Sequence, residues 1–334
     1  MPRSSTLRSD LLLLITAVIW GFAFVAQRMG MDHIGPFLFN GIRFALGALT
    51  LVLVLRMREW MKMRRGEEEN RGIGEEGKRG GGEETTASDQ RLTTNDYRLK
   101  TIIPGLLLGL ILFAGASFQQ VGIVYTTAGN AGFITGLYII LVPIFGVFSG
   151  QKAGWNLWSG ALLGAIGLYL LSVTGDFGIS KGDLLVLLSA VFWAVHVLYT
   201  GWLAPRNSAI RLAITQYTVC SVLSLFFAFI FESNTFAGIY DAIYPILYGG
   251  ILSVGIAYTL QIVAQKKAPP SHAAIIMSLE AVFAVIGGMI ILSETMTERK
   301  WIGCALMLCG MIMAQVVGKR GRGEKGKRNA FLTF

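Results

Sequence analysis

Two ionisable side chains, Arg43 and Glu280, stand inside long stretches otherwise built of Leu, Phe, Ala, Gly and Val. A charge in such surroundings is costly in hydrocarbon and marks a substrate or ion path by default. Arg43 falls about seven residues, roughly 10 Å of helix rise, from one end of its segment. Glu280 falls about twelve residues, roughly 18 Å, from the same-side end of its own. An arginine and a glutamate together span that difference in depth, so both can reach one central cavity. Glu280 is then the candidate for a proton or a substrate amine, and Arg43 for a substrate carboxylate. The plainer alternative is that Arg43 snorkels to the surface while Glu280 caps backbone or pairs with a neighbouring helix.

Other side chains extend this set. Trp193, His196 and Tyr199 recur at spacings of three, a polar-aromatic stripe that reads as cavity lining with His196 as a proton site, or as plain helix packing. Trp20 and Trp193 are bulky amphipathic rings that either wall the cavity or fill a helix interface. Asn40, Gln119, Gln120, Asn130, Gln216 and Gln261, with Thr135, Tyr138 and Tyr258, supply uncharged polar groups. Gly105 and Gly109, and Gly160 and Gly164, have the four-residue spacing of close helix contact. The sequence contains no HExxH, no clustered aspartates and no Ser–His arrangement, so a membrane-embedded lipid enzyme lacks its machinery. Cys220, Cys304 and Cys309 have no metal-ligand spacing and read as small apolar residues. The run from Gly72 to Arg79 approaches a phosphate-binding loop but has Arg79 where a Ser or Thr must hold magnesium. No metal or cofactor is expected.

The elements that carry these residues are membrane spans. With 53% hydrophobic and 15% charged residues, the chain is too apolar for a soluble domain. Ten runs long enough to cross about 30 Å of hydrocarbon fall at 11–28, 36–56, 101–122, 129–149, 155–174, 182–203, 210–231, 243–265, 271–292 and 300–318. The predicted fold is therefore all-α integral membrane, ten transmembrane helices. The net charge of +9 resides in loops. The stretch 57–100, rich in Gly, Glu, Arg and Lys, is predicted to be a disordered insertion, and 319–334 a basic tail. Beside a membrane, such basic segments bind anionic lipid rather than nucleic acid. With both ends inside, 24 Lys and Arg fall on the inner side and four on the outer, which favours cytoplasmic termini.

The chain is also duplicated. The phrase Asp10 to Trp20 returns as Asp183 to Trp193 with seven of eleven residues identical. Its internal copy cannot be a signal peptide, so the first copy reads as a permanent helix. Trp20 maps to Trp193 at an offset of 173, Gly115 to Gly255 at 140, and Trp158, Gly160 and Gly167 to Trp301, Gly303 and Gly310 at 143. The insertion at 57–100 accounts for the drop. Two repeats, 1–174 and 175–318, each with an odd number of spans, must enter the membrane from opposite sides, the arrangement of alternating-access carriers.

In these residues the sequence resembles the drug/metabolite transporter superfamily and, within it, the EamA-domain carriers. The resemblance rests on Ala17-Val-Ile-Trp20-Gly21, on Tyr125-Thr-Thr-Ala-Gly-Asn130, on Leu279-Glu280-Ala-Val-Phe283, on Leu292-Ser-Glu294 and on the Trp-x-Gly of the fifth and tenth segments. It implies two inverted five-helix repeats and secondary active export of small metabolites, amino acids or related amphipathic compounds, with a proton or cation as coupling ion. It also implies a bacterial plasma (inner) membrane location and no enzymatic activity. A non-transporting sensor or scaffold is the alternative that the spans alone leave open, and oligomeric state is not encoded in these motifs. Gln151 stands where the second half has Glu294, and Ala281 replaces a frequent proline after the glutamate, which predicts a straight ninth helix. Impermeant labelling of tags at the two ends should find both on the cytoplasmic side; an end reached from outside overturns this topology.

Overall fold

The computed structural model describes residues 3–73, 87–148, 155–172, 180–233 and 236–316, and among them every regular element is a helix. They are α1 (Arg3–Gly30), α2 (Pro36–Ile73), α3 (Ala87–Val124), α4 (Ala128–Gly136), α5 (Tyr138–Phe148), α6 (Trp155–Ser172), α7 (Lys181–Leu203) and α8 (Ala209–Phe231). Short α9 (Phe236–Asp241) and α10 (Ile243–Leu247) lead into a π-helix, Tyr248–Tyr258, continued by α11 (Thr259–Gln265). The chain closes with α12 (Pro270–Met277), α13 (Glu280–Ile291) and α14 (Glu298–Val316). Among the described residues eight helical spans are long and apolar enough to cross a membrane: α1, α2, α3, α4 with α5, α7, α8, α10 through α11, and α12 with α13. This is a multi-pass membrane protein. Helices also stand at the fifth and tenth expected positions, as the 18-residue α6 and the 19-residue α14, packed on each other.

The stretch predicted to be disordered differs in its flanks. Helix α2 runs on to Ile73 and α3 starts at Ala87, while 74–86 and the tail 319–334 lie outside the described residues. Glu, Lys and Arg propagate a helix well once an apolar span has nucleated it, and that explains the extension of α2.

Two spans are broken at matching places. Helix α4 passes to α5 at Leu137, and α12 passes to α13 at Ser278 and Leu279. Both the starts, Ala128 and Pro270, and the restarts, Tyr138 and Glu280, lie 142 residues apart. The second break corrects the expectation of a straight ninth helix. Ser278 turns its hydroxyl onto the Ile275 carbonyl at 2.7 Å, and the next amides bond three residues back, Ala281 to Ser278 at 3.1 Å and Val282 to Leu279 at 3.0 Å. This tight turn replaces the work of a proline.

Packing follows the same duplication. Helix α2 lies on α8 and α6 on α14; α3 lies on α7 as α1 lies on the π-helix and α11; α7 meets α4 and α5 as α1 meets α12 and α13. Between α6 and α14 the contact is backbone to backbone. A Cβ on Gly167 would stand 2.5 Å from the Gly303 carbonyl, and one on Gly310 would stand 2.5 Å from the Gly160 carbonyl. Gly303 and Gly310 are the copies of Gly160 and Gly167, so each helix presents to the other what it receives. The Gly105–Gly109 face likewise admits Thr215 and Val219 of α8, a packing role. In hydrocarbon such close approach is the main source of helix association. Gly167→Leu and Gly310→Leu should each destabilise the protein by about 1–3 kcal/mol, the cost of overpacking, read as similar falls in the thermal midpoint in detergent; an unaltered midpoint in either contradicts the close seam.

Candidate functional site

Arg43 and Glu280 converge. Arg43 is 1% exposed and Glu280 3% exposed, and both line one cavity with Trp20, Gln27, Gln119, Tyr138, Trp193, His196, Tyr258 and Gln261. Thr135, Ser253 and the apolar Ala23, Phe24 and Val197 complete the wall. All of these but Trp20 are buried. Its volume open to the centre of a water molecule is about 30 Å³, room for roughly two waters.

Each charged group is held by its local structure. Glu280 is the first residue of α13, so the break at Ser278 and Leu279 aims it inward instead of onto a continuous helix face. The Tyr138 hydroxyl faces it from the equivalent break in the other half, without the alignment of a good hydrogen bond. Arg43 donates from Nε to Asn40 Oδ1 at 2.9 Å, and Asn40 donates in turn to the Ala116 carbonyl at 3.1 Å. The guanidinium carbon sits 5.5 Å from the Phe39 ring centre and 5.1 Å from that of Phe44, a cation–π cradle. One terminal nitrogen of Arg43 has no partner, an orphan donor at the cavity. Snorkelling is therefore excluded for Arg43, and Glu280 is buried at the cavity.

The aromatic wall is continuous. Trp20 and Tyr258 have ring centres 4.5 Å apart, Trp193 and Tyr258 5.9 Å, and Trp193 and His196 5.8 Å. Trp20 Nε1 donates to the Ser253 carbonyl at 3.3 Å, a backbone group inside the π-helix. His196 Nε2 lies 2.9 Å from Gln216 Oε1, while its Nδ1, the Trp193 Nε1 and both side-chain polar atoms of Gln261 have no protein partner. Gln119 donates to Thr135 Oγ1 at 3.1 Å.

Some expected members lie elsewhere. Asn40 orients Arg43 from behind, and Gln120 donates to the Gln27 carbonyl at 3.3 Å outside the lining. Asn130 sits in the first turn of α4, its amide bonded to Thr127 Oγ1 at 3.1 Å. Tyr199 is not on the stripe with Trp193 and His196: six residues on an α-helix turn about 240°, which carries it to a lateral cleft where it stacks on Trp202 at 5.9 Å. The sequence reading missed Gln27 and Ser253. Gln27 follows Trp20 by seven residues, two helical turns on the same face, and that spacing was the signal available.

One mouth of the bundle is closed by carboxylates on helix starts. Glu232, at the end of α8, accepts from the Phe37 and Leu38 amides at 2.7 and 2.9 Å and so caps α2. Glu294 accepts from Ala128 and Gly129 at 2.7 and 3.1 Å and so caps α4. Ser293 adopts the left-handed region, φ 54°, and the Glu294 amide returns to the Gly288 carbonyl at 3.1 Å, which turns the carboxylate back toward α4. On the same face Thr126 donates to Asp183 at 2.6 Å. At the other face, where α1 begins, the copy of Asp183, Asp10, pairs with His272 at 2.7 Å.

The comparisons now bear on this geometry. The profile of the EamA-like transporter family matches residues 7–69, 87–173 and 180–315. The chain belongs to the EamA-like transporter family. It is 29% identical to an uncharacterized transporter of Archaeoglobus fulgidus over 93% of this chain and 86% of that one. It is 24% identical to the uncharacterized transporter YoaV of Bacillus subtilis, over 90% and 94%. It is 21% identical to the uncharacterized inner membrane transporter YedA of Escherichia coli K12, over 89% and 87%. A solved crystal structure superposes with a TM-score of 0.63 at 18% identity, covering 96% of this chain and 99% of that one, a likeness of fold. Removing a cap that holds two amides costs about 1–2 kcal/mol. Glu294→Ala should therefore lower the thermal midpoint in detergent more than the exposed Thr295→Ala does; equal midpoints would remove Glu294 from the closure.

Proposed function

We propose that this family member is a secondary active exporter of small amphipathic metabolites, amino acids or related compounds, working by alternating access and driven by a proton or cation gradient. The observation that carries this reading is the convergence of Arg43, Glu280 and unpartnered polar atoms from both halves on one cavity with an aromatic wall. A zwitterion fits that chemistry: its carboxylate on the free nitrogen of Arg43, its amine on Glu280, its apolar part against Trp20, Trp193 and Tyr258. Glu280 also serves as the exchange point at which a proton replaces an amine.

Ten crossings in two inverted five-helix repeats support alternating access. The offsets of 173, 140, 142 and 143, the paired packing of helices and the exchanged glycine contacts of α6 and α14 favour a two-fold relation between halves. Both termini are cytoplasmic in this reading because Lys and Arg gather on that side. A bacterial inner membrane location accords with that of YedA, named an inner membrane transporter. With the Glu232 and Glu294 caps at the outer mouth, substrate enters when the inner mouth opens and leaves once the outer caps release. The cavity must widen to admit even a small amino acid, so the present conformation is a closed stage of that cycle.

Purified protein in liposomes, given a panel of labelled amino acids, amines and sugars under an imposed pH gradient, tests the reading. For a zwitterionic substrate, Glu280→Gln should abolish gradient-driven flux. Arg43→Ala should raise the half-saturating concentration by about tenfold or more, as expected for a lost charged hydrogen bond worth about 1.5–3 kcal/mol. Wild-type rates in both variants, correctly inserted, would refute the site.

A further inference from the structure

The cavity has a polar branch whose hydrogen-bonding capacity the helix packing uses only in part. His196 and Thr200 stand one helical turn apart on α7, and Gln261 and Gln265 one turn apart on α11. Gln216 of α8 meets His196 at 2.9 Å, and Gln265 donates to the Val197 carbonyl at 3.1 Å, which fixes α11 against α7. All five residues are 1% exposed or less. His196 and Gln261 line the cavity; Thr200, Gln216 and Gln265 continue from it toward the face where α7 ends and α8 begins. Immediately beyond Gln265 come the exposed Lys266 and Lys267.

This column is expensive. His196 Nδ1, Thr200 Oγ1, Gln216 Nε2, Gln265 Oε1 and both side-chain polar atoms of Gln261 have no protein partner. In a bilayer-embedded bundle, valine or leucine at these places would pack without that cost. Unpartnered donors and acceptors set a turn apart between three packed helices are what ordered water satisfies.

We propose that His196, Thr200, Gln216, Gln261 and Gln265 form a water-filled ladder that carries protons between the central cavity and the face where α1 begins. The amides and the hydroxyl position the waters, and His196, the titratable member of the five, stands at the junction with the cavity. A proton entering at the Gln265 end passes along successive waters, each breaking one O–H bond as it forms the next, and comes to rest on the Glu280 carboxylate. At its cavity end the ladder faces Glu280, Tyr138, Tyr258 and Arg43. The first half diverges from it. At the offset of 173, Ala23 replaces His196, Gln27 replaces Thr200 and Arg43 replaces Gln216. A fixed guanidinium repels an excess proton, so the branch is one-sided. The proton role rests on the proposed proton-coupled transport; the hydration does not.

Two measurements separate them. In a variant with its three cysteines replaced by alanine, Thr200→Cys and Gln265→Cys are exposed to silver ion in sealed vesicles of each orientation, and the remaining thiol is tagged with maleimide after denaturation. Silver applied at the face where α1 begins should abolish tagging at both positions while Val195→Cys, on the outer surface of α7, stays tagged. Equal tagging at all three, or protection only from the opposite face, overturns the ladder. In liposomes, Thr200→Val and Gln265→Leu should each cut gradient-driven flux by about tenfold, as for one lost hydrogen bond, and leave substrate counterflow unchanged, with Thr200→Ser restoring flux. Equal loss of both activities would make these residues structural and refute the proton path. A wild-type protein with no counterflow for any substrate would refute the transport reading, and silver protection would still decide the hydration.

Discussion

A guanidinium and a carboxylate kept inside a bilayer-spanning bundle set the terms for everything around them. Neither survives there without compensation, and the structure supplies it unequally. Arg43 is held by Asn40, by two phenylalanine rings and by burial among α2, α3 and the π-helix, yet keeps one nitrogen free. Glu280 is projected by a break in its own span and faces a tyrosine rather than a cation. Had the two been placed to neutralise each other, the pair would be a structural bridge. Among the described residues no ion pair joins them, and both line one cavity.

The two halves match in their scaffold and differ in their chemistry. Helix seams keep their copies: Gly160 and Gly167 against Gly303 and Gly310, Asp10 and Asp183 each bonded to the start of a broken span. Cavity positions do not. Arg43 corresponds to Gln216, Ala23 to His196 and Tyr138 to Glu280. Each charged or titratable group faces, in the other half, a neutral counterpart. An exactly repeated cavity would double every buried charge and set like beside like near the axis, where repulsion in low dielectric is severe. The two mouths diverge too, one held by Glu232 and Glu294 on helix starts, the other by the Asp10–His272 pair.

How much of this could be read in advance depends on the range of the interaction. Spans and the duplicated phrase are local patterns, and Arg43 and Glu280 announce themselves because charge in apolar sequence has a one-dimensional signature. Trp193 and His196 were legible as neighbours, but Tyr199 was assigned to their face by counting threes, where the helix repeat of 3.6 carries the third member away. Asn40 and Gln120 look like cavity amides in sequence; only the positions of Ala116 and Gln27 in space reveal that they bond backbone instead. The caps by Glu232 and Glu294 bridge 194 and 165 residues of chain, far beyond any spacing rule. The π-helix was not predicted from the sequence; its Gly249, Gly250 and Gly255 lie against Arg43, Leu46 and Thr50 of α2, contacts distant in the chain.

A cavity with room for roughly two waters cannot bind a metabolite without movement, and the irregular backbone indicates where movement is cheapest. Three interruptions touch the cavity: the break before Tyr138, the break before Glu280 and the π-helix that carries Ser253 and Tyr258. By contrast α6 and α14 are regular, joined backbone to backbone, and contribute nothing to the lining. Helices packed that closely resist sliding, because any rotation drives a Cβ into a neighbouring carbonyl. Bending at the interruptions changes fewer contacts. The α6–α14 pair is therefore the stiffest seam of the bundle, and the breaks before Tyr138 and Glu280 and the π-helix that carries Tyr258 are where bending costs least.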